Sequence, residues 1–261
     1  MKKRLDMLLV EQGLSESREK AKAVIMSGCV YVNGQKEDKV GVAFAEEGLK
    51  LEVRGNTLKY VSRGGLKLEK AVELWNLPLE GSICMDIGAS TGGFTDCMLQ
   101  NGAKCVYAVD VGTAQLAQRL KNDSRVYSFE QTNITEFYPE EKADFIAADV
   151  SFVSLEKIFP EADRLLAFDG TAVVLIKPQF EAGRENIGKN GIVRDRKIHK
   201  NIITRLAAAA SVCGLYCAGI EVSPIKGGDG NTEYLMLLAR EQIPFDIRKA
   251  AENAVSDKNE R

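Results

Sequence analysis

The sequence predicts an α/β protein: a mostly parallel sheet covered by helices on both faces, with a small α+β module in front of it. Three observations carry this. From Ile83 onward, short apolar runs alternate with stretches of helical periodicity, the pattern of a sheet buried on both sides. The first of those runs ends in a glycine-rich turn, Gly88-Ala-Ser-Thr-Gly92-Gly93. Residues 1–53 carry their own helix stops and a hairpin signal, so they read as a separate unit.

In the first module, Leu5, Leu8, Leu9 and Leu14 make one helix face, with Gly13 as a stop. Ser15 or Ser17 can cap a second helix carrying Ala21, Val24 and Ile25, which Gly28 ends. Val30 and Val32 then alternate into Asn33-Gly34, the strongest short hairpin signal. Arg4, Arg18, Lys20 and Lys22 put positive charge on this helical pair; such a run is most often a solvated face. A polar, glycine-bearing stretch near 54–65 reads as a linker, and Leu66, Leu68, Ala71, Val72 and Leu74 begin the next helix. Strands are expected at 83–87, 105–110, 126–130, 144–149, 171–177, 216–223 and 233–239, with helices at 93–101, 113–121, 154–167 and 196–213. The expected domains are 1–58, a linker 59–65, a catalytic unit 66–240 and a charged tail 241–261 that ends as a short helix or frays.

Composition narrows the function classes. The chain has 261 residues, 45% of them apolar, and a net charge of −2, so a basic surface for a polyanion has to be local. No stretch reaches the roughly 20 apolar residues of a membrane span, and the basic N-terminus lacks an apolar signal core. Six scattered cysteines with no C-x-x-C, and one histidine, His199, argue for reduced thiols in cytoplasm rather than for disulfides or a metal site.

The glycine turn lets a backbone approach a ligand closely. It is not G-x-G-x-x-G, because Ser90 stands where the second glycine would fall, and Phe94 replaces the lysine of a phosphate loop. Asp86, just before the turn, suits a ligand bearing an ammonium or hydroxyls; an ordinary βα turn is the plain alternative. Asp110 ends the next apolar run, where an acid commonly takes ribose hydroxyls or caps a helix. Asp149, Lys177 and Glu233 also sit at strand ends. A lysine that ends an apolar strand and precedes proline is costly to bury unless it is paired or functional.

Residues 4–41 resemble the small RNA-binding domain named after ribosomal protein S-four. With VSRGGLKL, DIGASTGGFTD, AVDVG, TNITEF, ADVSFVSL, KPQFEAGRE and GNTEYL in one order, residues 1 to about 240 resemble the haemolysin-A (TlyA) family of ribosomal-RNA methyltransferases. The resemblance implies an FtsJ-type, Rossmann-like, seven-stranded domain that uses S-adenosylmethionine to methylate a ribose 2′-hydroxyl of rRNA, cytidine above all. It implies a tetrad at Lys67, Asp149, Lys177 and Glu233. The cofactor would lie on Asp86, Gly88, Ser90, Thr91, Gly92, Gly93 and Asp110. Arg4, Arg18, Lys20 and Lys22 would contact rRNA or a ribosomal subunit. Two alternatives stand beside it: a membrane-active haemolysin, suggested by the family label, and an RNA-binding protein with an inactive transferase domain. The loop 181–197, rich in glycine and basic residues, would close over RNA or be a plain surface connection.

Overall fold

The computed structural model describes residues 2–15, 17–26, 28–54, 59–113, 115–227 and 230–256. The chain divides into two compact units, Met1–Arg63 and Gly64–Arg261.

The first unit runs β1 (Lys2–Arg4), α1 (Leu5–Glu11), α2 (Arg18–Met26), β2 (Val30–Val32), β3 (Gln35–Glu37), β4 (Ala43–Ala45) and β5 (Leu51–Val53). Leu5, Leu8 and Leu9 of α1 meet Ala21 and Ile25 of α2 over Val30, Val32 and Leu51. Ser17 Oγ accepts a hydrogen bond from Lys20 N at the start of α2, the N-cap arrangement. Asn33 and Gly34 both take positive φ, 51° and 80°, which is what a two-residue hairpin turn between β2 and β3 requires.

The second unit opens with α3 (Gly64–Trp75) and continues β6 (Ile83–Ile87), α4 (Gly93–Gln100), β7 (Cys105–Val109), α5 (Gln118–Lys121), β8 (Val126–Phe129) and β9 (Ala143–Ala148). There follow α6 (Phe159–Leu165), β10 (Leu166–Ile176), α7 (Pro178–Glu181), α8 (Arg196–Val212), β11 (Tyr216–Val222), β12 (Tyr234–Ala239) and α9 (Ile247–Ser256). The strands form one seven-stranded sheet in the order β11-β12-β10-β9-β6-β7-β8. Its pairs are parallel except that β12 runs antiparallel to both β10 and β11. This is the predicted α/β class.

Two features of this topology create the site. The chain leaves β6 toward β7 and β8, then returns to place β9 on the other flank of β6. That reversal opens a crevice at the carboxyl ends of β6 and β9, the switch point where ligands bind in such sheets. The reversed β12 pairs Tyr234 with Ile176, so the residue before β12 meets the residue after β10.

Two stretches differ from the expected elements, and the tail takes the helical one of its two expected endings. The helix expected over 113–121 shrinks to α5: within it Ala117 N donates to Thr91 O, and just before it Gly112 N is held by Asp110 Oδ1. The helix expected over 154–167 is a 3-10 turn at Leu155–Lys157 followed by α6, with proline in the first turn of α6. Leu166 already pairs with Ala143 of β9. The charged tail contains α9, whose Ala251, Ala254 and Val255 are buried against the sheet core.

Candidate active site

Four charged residues from four elements converge beside the crevice. Lys67 projects from the first turns of α3 and is buried. Its Nζ donates to Glu233 Oε2 at 2.6 Å and lies 3.8 Å from Asp149 Oδ2. Asp149 follows β9, and its Oδ1 meets Lys177 Nζ at 2.6 Å. Lys177, at the end of β10, also donates to Ser151 Oγ at 2.8 Å. The order Glu233–Lys67–Asp149–Lys177 therefore alternates in charge, so each ion has an opposite neighbour. That alternation is what permits four charges to sit with side chains only 3–20% exposed. Burial still wins at Glu233, where it raises the carboxyl above its usual range against the opposing pull of Lys67.

The glycine turn lies against this group. Gly88 has φ 83°, and a Cβ there would stand 2.8 Å from the carbonyl oxygen of Asp149. Glycine at 88 thus lets the end of β6 touch the backbone that carries Asp149. Ser90 adopts positive φ, 47°, is exposed, and donates its N–H to Asp110 Oδ2 at 2.7 Å. Asp110 Oδ1 accepts from Gly112 N, so this carboxylate braces two loops at once. Thr91 gives its carbonyl to Ala117 N. At Gly92 a Cβ would collide with Leu116 and Leu120; that glycine makes room for protein on its far side. Gly93 begins α4.

Asp86 is fully buried under the turn. Its Oδ2 accepts from Thr95 N at 2.8 Å and from Thr95 Oγ1 at 2.7 Å, while its Oδ1 has no hydrogen-bond partner. Burial pushes this carboxyl up to about 7, with the Thr95 bonds opposing. A buried acceptor without a donor calls for one, and a cationic ligand above the turn would supply it.

Sequence reading missed two residues. Phe152 is 89% exposed with φ 63°, a strained conformation for a bulky side chain. It packs against Phe180 with ring centroids 4.8 Å apart and planes tilted by 49°, and the Phe180 ring centre lies 5.9 Å from Lys177 Nζ. Its place in ADVSFVSL, three residues after Asp149, was the available signal. Asn231 is completely buried; its Oδ1 accepts from Val193 N and its Nδ2 donates to Gly191 O, both at 3.0 Å. It ties the loop before α8 to the hairpin leading into β12, so part of the 181–197 segment is pinned.

Profiles of known families match both units. Residues 60–240 match the FtsJ-like methyltransferase model, and residues 3–43 match the S4 domain. The chain belongs to the FtsJ-like methyltransferase family. It is 51% identical over 241 residues to the provisionally named rRNA methyltransferase YqxC of Bacillus subtilis, covering 91% of this chain and 85% of that one. It is 36% identical over 255 residues to the 16S/23S rRNA (cytidine-2′-O)-methyltransferase TlyA of Mycobacterium tuberculosis, covering 97% and 95%. A solved structure of a provisionally named hemolysin from Streptococcus thermophilus superposes with TM-score 0.77 at 48% identity, over 98% of this chain and 94% of that one. A provisionally named S-adenosylmethionine-dependent methyltransferase from Listeria monocytogenes shares the fold alone, with TM-score 0.50 at 16% identity over 69% and 99%. Among the described residues no helix is long and apolar enough to cross a membrane, and no group of three or more His, Cys, Asp or Glu is arranged to hold a metal ion.

In the S4-type unit, two of the four basic residues have an internal task. Arg4 Nε and Arg18 Nη2 reach the two oxygens of Asp6 at 2.9 and 2.8 Å, and Asp6 is fully buried. Burial raises the Asp6 carboxyl most, but the hydrogen bonds from Arg4 and Arg18 together outweigh it and bring it below its usual range. Lys20 is exposed and Lys22 half-buried on α2.

Proposed function

We propose that this protein methylates a ribose 2′-hydroxyl of ribosomal RNA, cytidine by preference, with S-adenosylmethionine as methyl donor. The single observation that carries the reading is the alternating chain of Glu233, Lys67, Asp149 and Lys177 at the switch-point crevice. The names of the relatives point to the same substrate, and RNA in ribosomes puts the reaction in the cytoplasm.

When bound, S-adenosylmethionine supplies an electrophilic methyl on a sulfonium. Asp86 would take its ammonium through the unpartnered Oδ1 or a water there. Gly88, Ser90, Thr91, Gly92 and Gly93 would form the floor, and Asp110 would meet the ribose with the lone pairs left after its bonds to Ser90 and Gly112. An amine carries three N–H donors when charged. Lys177 donates one to Ser151 and is held beside Asp149, which leaves capacity for an incoming hydroxyl. The hydroxyl oxygen would form the new bond to carbon while the sulfur keeps the electron pair of the bond that breaks. Lys177 would orient that oxygen and stabilise its developing negative charge, with the proton passing to solvent. Lys67 would hold the hydroxyl or the adjoining phosphate, and Asp149 and Glu233 keep both lysines in place. The exposed Phe152 ring offers a face on which the base of the target nucleotide can stack.

The test is transfer of a tritiated methyl group to rRNA from cells lacking the protein, followed by digestion to nucleosides. Label in 2′-O-methylcytidine supports the reading. Label on a base, or none in RNA, contradicts it.

A further inference from the structure

A second feature next to Glu233 is not accounted for by the transfer chemistry. A cleft of about 440 Å³ opens between the loop 192–196 and the turn 223–226. Glu233 and Tyr234 form part of its wall. Arg194, Arg196 and Lys226 line it and are exposed. Among the described residues none of these three cations has an ion pair or hydrogen bond through its side chain. Five other arginines of the same unit are matched: Arg119 with Asp96, Arg125 with Asp123, Arg164 with Glu161, Arg205 with Glu156 and Glu181, and Arg240 with Asp163. Three cations without a partner among the described residues, set around one concavity on a chain of net charge −2, constitute a local anion-attracting field.

The cleft is also held in shape. Asn231 fastens Gly191 and Val193 to the hairpin. His199, buried under the loop, contacts the Val193 carbonyl through Nε2 at 2.9 Å and Tyr234 Oη through Nδ1 at 2.7 Å. Because a carbonyl only accepts, Nε2 carries the proton and Nδ1 accepts from the tyrosine. Burial lowers the pKa of His199 and keeps the ring in that neutral form. Asp195, between the two arginines, is turned to the backbone N–H of Lys197. Gly227 lies so close to Glu233 that a Cβ there would sit 2.5 Å from Oε1. The turn bearing Lys226 is thereby laid directly over the tetrad glutamate.

We infer that this cleft, lined by Arg194, Arg196 and Lys226, binds a backbone phosphate of the RNA strand that carries the target ribose. The inference rests on the RNA methyltransferase reading and deepens it. A ribose whose 2′-hydroxyl is at Lys67 and Lys177 brings phosphates on either side of it. Glu233 belongs to both the tetrad and the cleft wall, so a strand leaving the tetrad on that side passes over the three cations. The contact fixes position and carries no base identity.

The experiment uses the full chain and the triple variant Arg194→Ala, Arg196→Ala, Lys226→Ala. Rates of tritiated methyl transfer to ribosomal subunits from cells lacking the protein are read over a salt series. KM for the subunit should rise about tenfold or more, kcat should stay within about threefold, and the salt slope should flatten by roughly one phosphate contact's worth. S-adenosylmethionine affinity should not move. The charge-keeping triple variant Arg194→Lys, Arg196→Lys, Lys226→Arg should recover most of the KM. An unchanged KM and slope, or a KM defect that the charge-keeping variant does not relieve, overturns the assignment. Affinity for a fluorescent single-stranded oligoribonucleotide reads the cleft independently of catalysis. There the alanine variant should bind more weakly, and equal affinities would overturn the proposal. A wild type that binds this RNA through the cleft but transfers no methyl to any subunit would instead overturn the methyltransferase reading. Competition by inorganic phosphate with both RNA readouts unchanged would mark a small-anion site and overturn the RNA assignment.

Discussion

Lys67 and Glu233 stand 166 residues apart in the chain and 2.6 Å apart in the fold. The pair ties α3, the first helix of the transferase unit, to the start of β12, the one strand that runs backwards. Glu233 is almost wholly buried, so removing its partner would strand a charge. We expect Lys67→Ala to destabilise the protein by about 3–5 kcal/mol. The loss should depend on pH in a defined direction. With the Glu233 carboxyl raised above its unfolded value, the folded state holds a proton that the unfolded chain gives up, and more so without Lys67. Stability of the variant should therefore fall further below wild type as pH rises from about 5 to 8. Thermal melts over that range check this; a pH-independent difference would mean that the pair is not the source.

Lys177→Ala should lower single-turnover methyl transfer by about 10²–10³-fold, the usual cost of losing one donor aimed at a developing oxyanion. Cofactor affinity should stay near wild type, because Lys177 touches Asp149 and Ser151 and not the glycine turn. Residual activity within a few-fold of wild type would remove it from the reaction.

Asp86 gives a pH signature of the same sign without a ligand. Burial holds its carboxyl at about 7, so the free folded protein binds a proton there that the unfolded chain releases near 3.8. Raising the pH through 7 costs stability, and Asp86→Asn should relieve this by on the order of 2 kcal/mol at pH 8 and little at pH 4. The same variant should weaken S-adenosylmethionine binding. A variant that gains stability and keeps full affinity would show that Asp86 only fixes the turn through Thr95.

The basic residues of the first unit should separate into two kinds. Arg18→Ala should lower the melting temperature, because Asp6 keeps only Arg4 as a partner. The Arg18 side chain is about half exposed, so solvent screening limits the loss to about 1 kcal/mol. The Asp6 carboxyl lies below its usual range, so its stabilising pairing is present above pH 4 and disappears as the medium is acidified further. Lys22→Ala should leave stability unchanged and flatten the salt dependence of RNA binding by about one contact. Equal melting temperatures and parallel salt slopes would refute the division.

Much of this was legible in the chain because strand ends are loud. Runs such as ICMDI, FIAA and AVVLI are short and largely apolar, and each carries a charge at or just past its end (Asp86, Asp149, Lys177) that a buried sheet tolerates only at its rim. Hence the seven strands, and the acids and lysines at their ends, could be named without coordinates. The tertiary captures were silent. Nothing in Thr113–Lys121 announces that Thr91 takes the backbone N–H of Ala117, or that Asp110 holds Gly112 just before the segment. Small residues left α9 undecided between a short helix and a frayed end, since Ala251 and Ala254 bury a helix face without raising hydropathy among five charged neighbours at 241–252. Asp6 reads as an ordinary acid in a first helical turn until two arginines are seen on it, and Asn231 reads as a turn residue until its amide is found fastening Val193 and Gly191.

The most direct test of the central claim is a map of ribose 2′-O-methylation across ribosomal RNA in cells lacking the protein, complemented with either wild type or Lys177→Ala. The account predicts that one or a few ribose methyl groups, on cytidine, are present with wild type and absent with Lys177→Ala expressed at the same level. Identical maps in the two strains would contradict it.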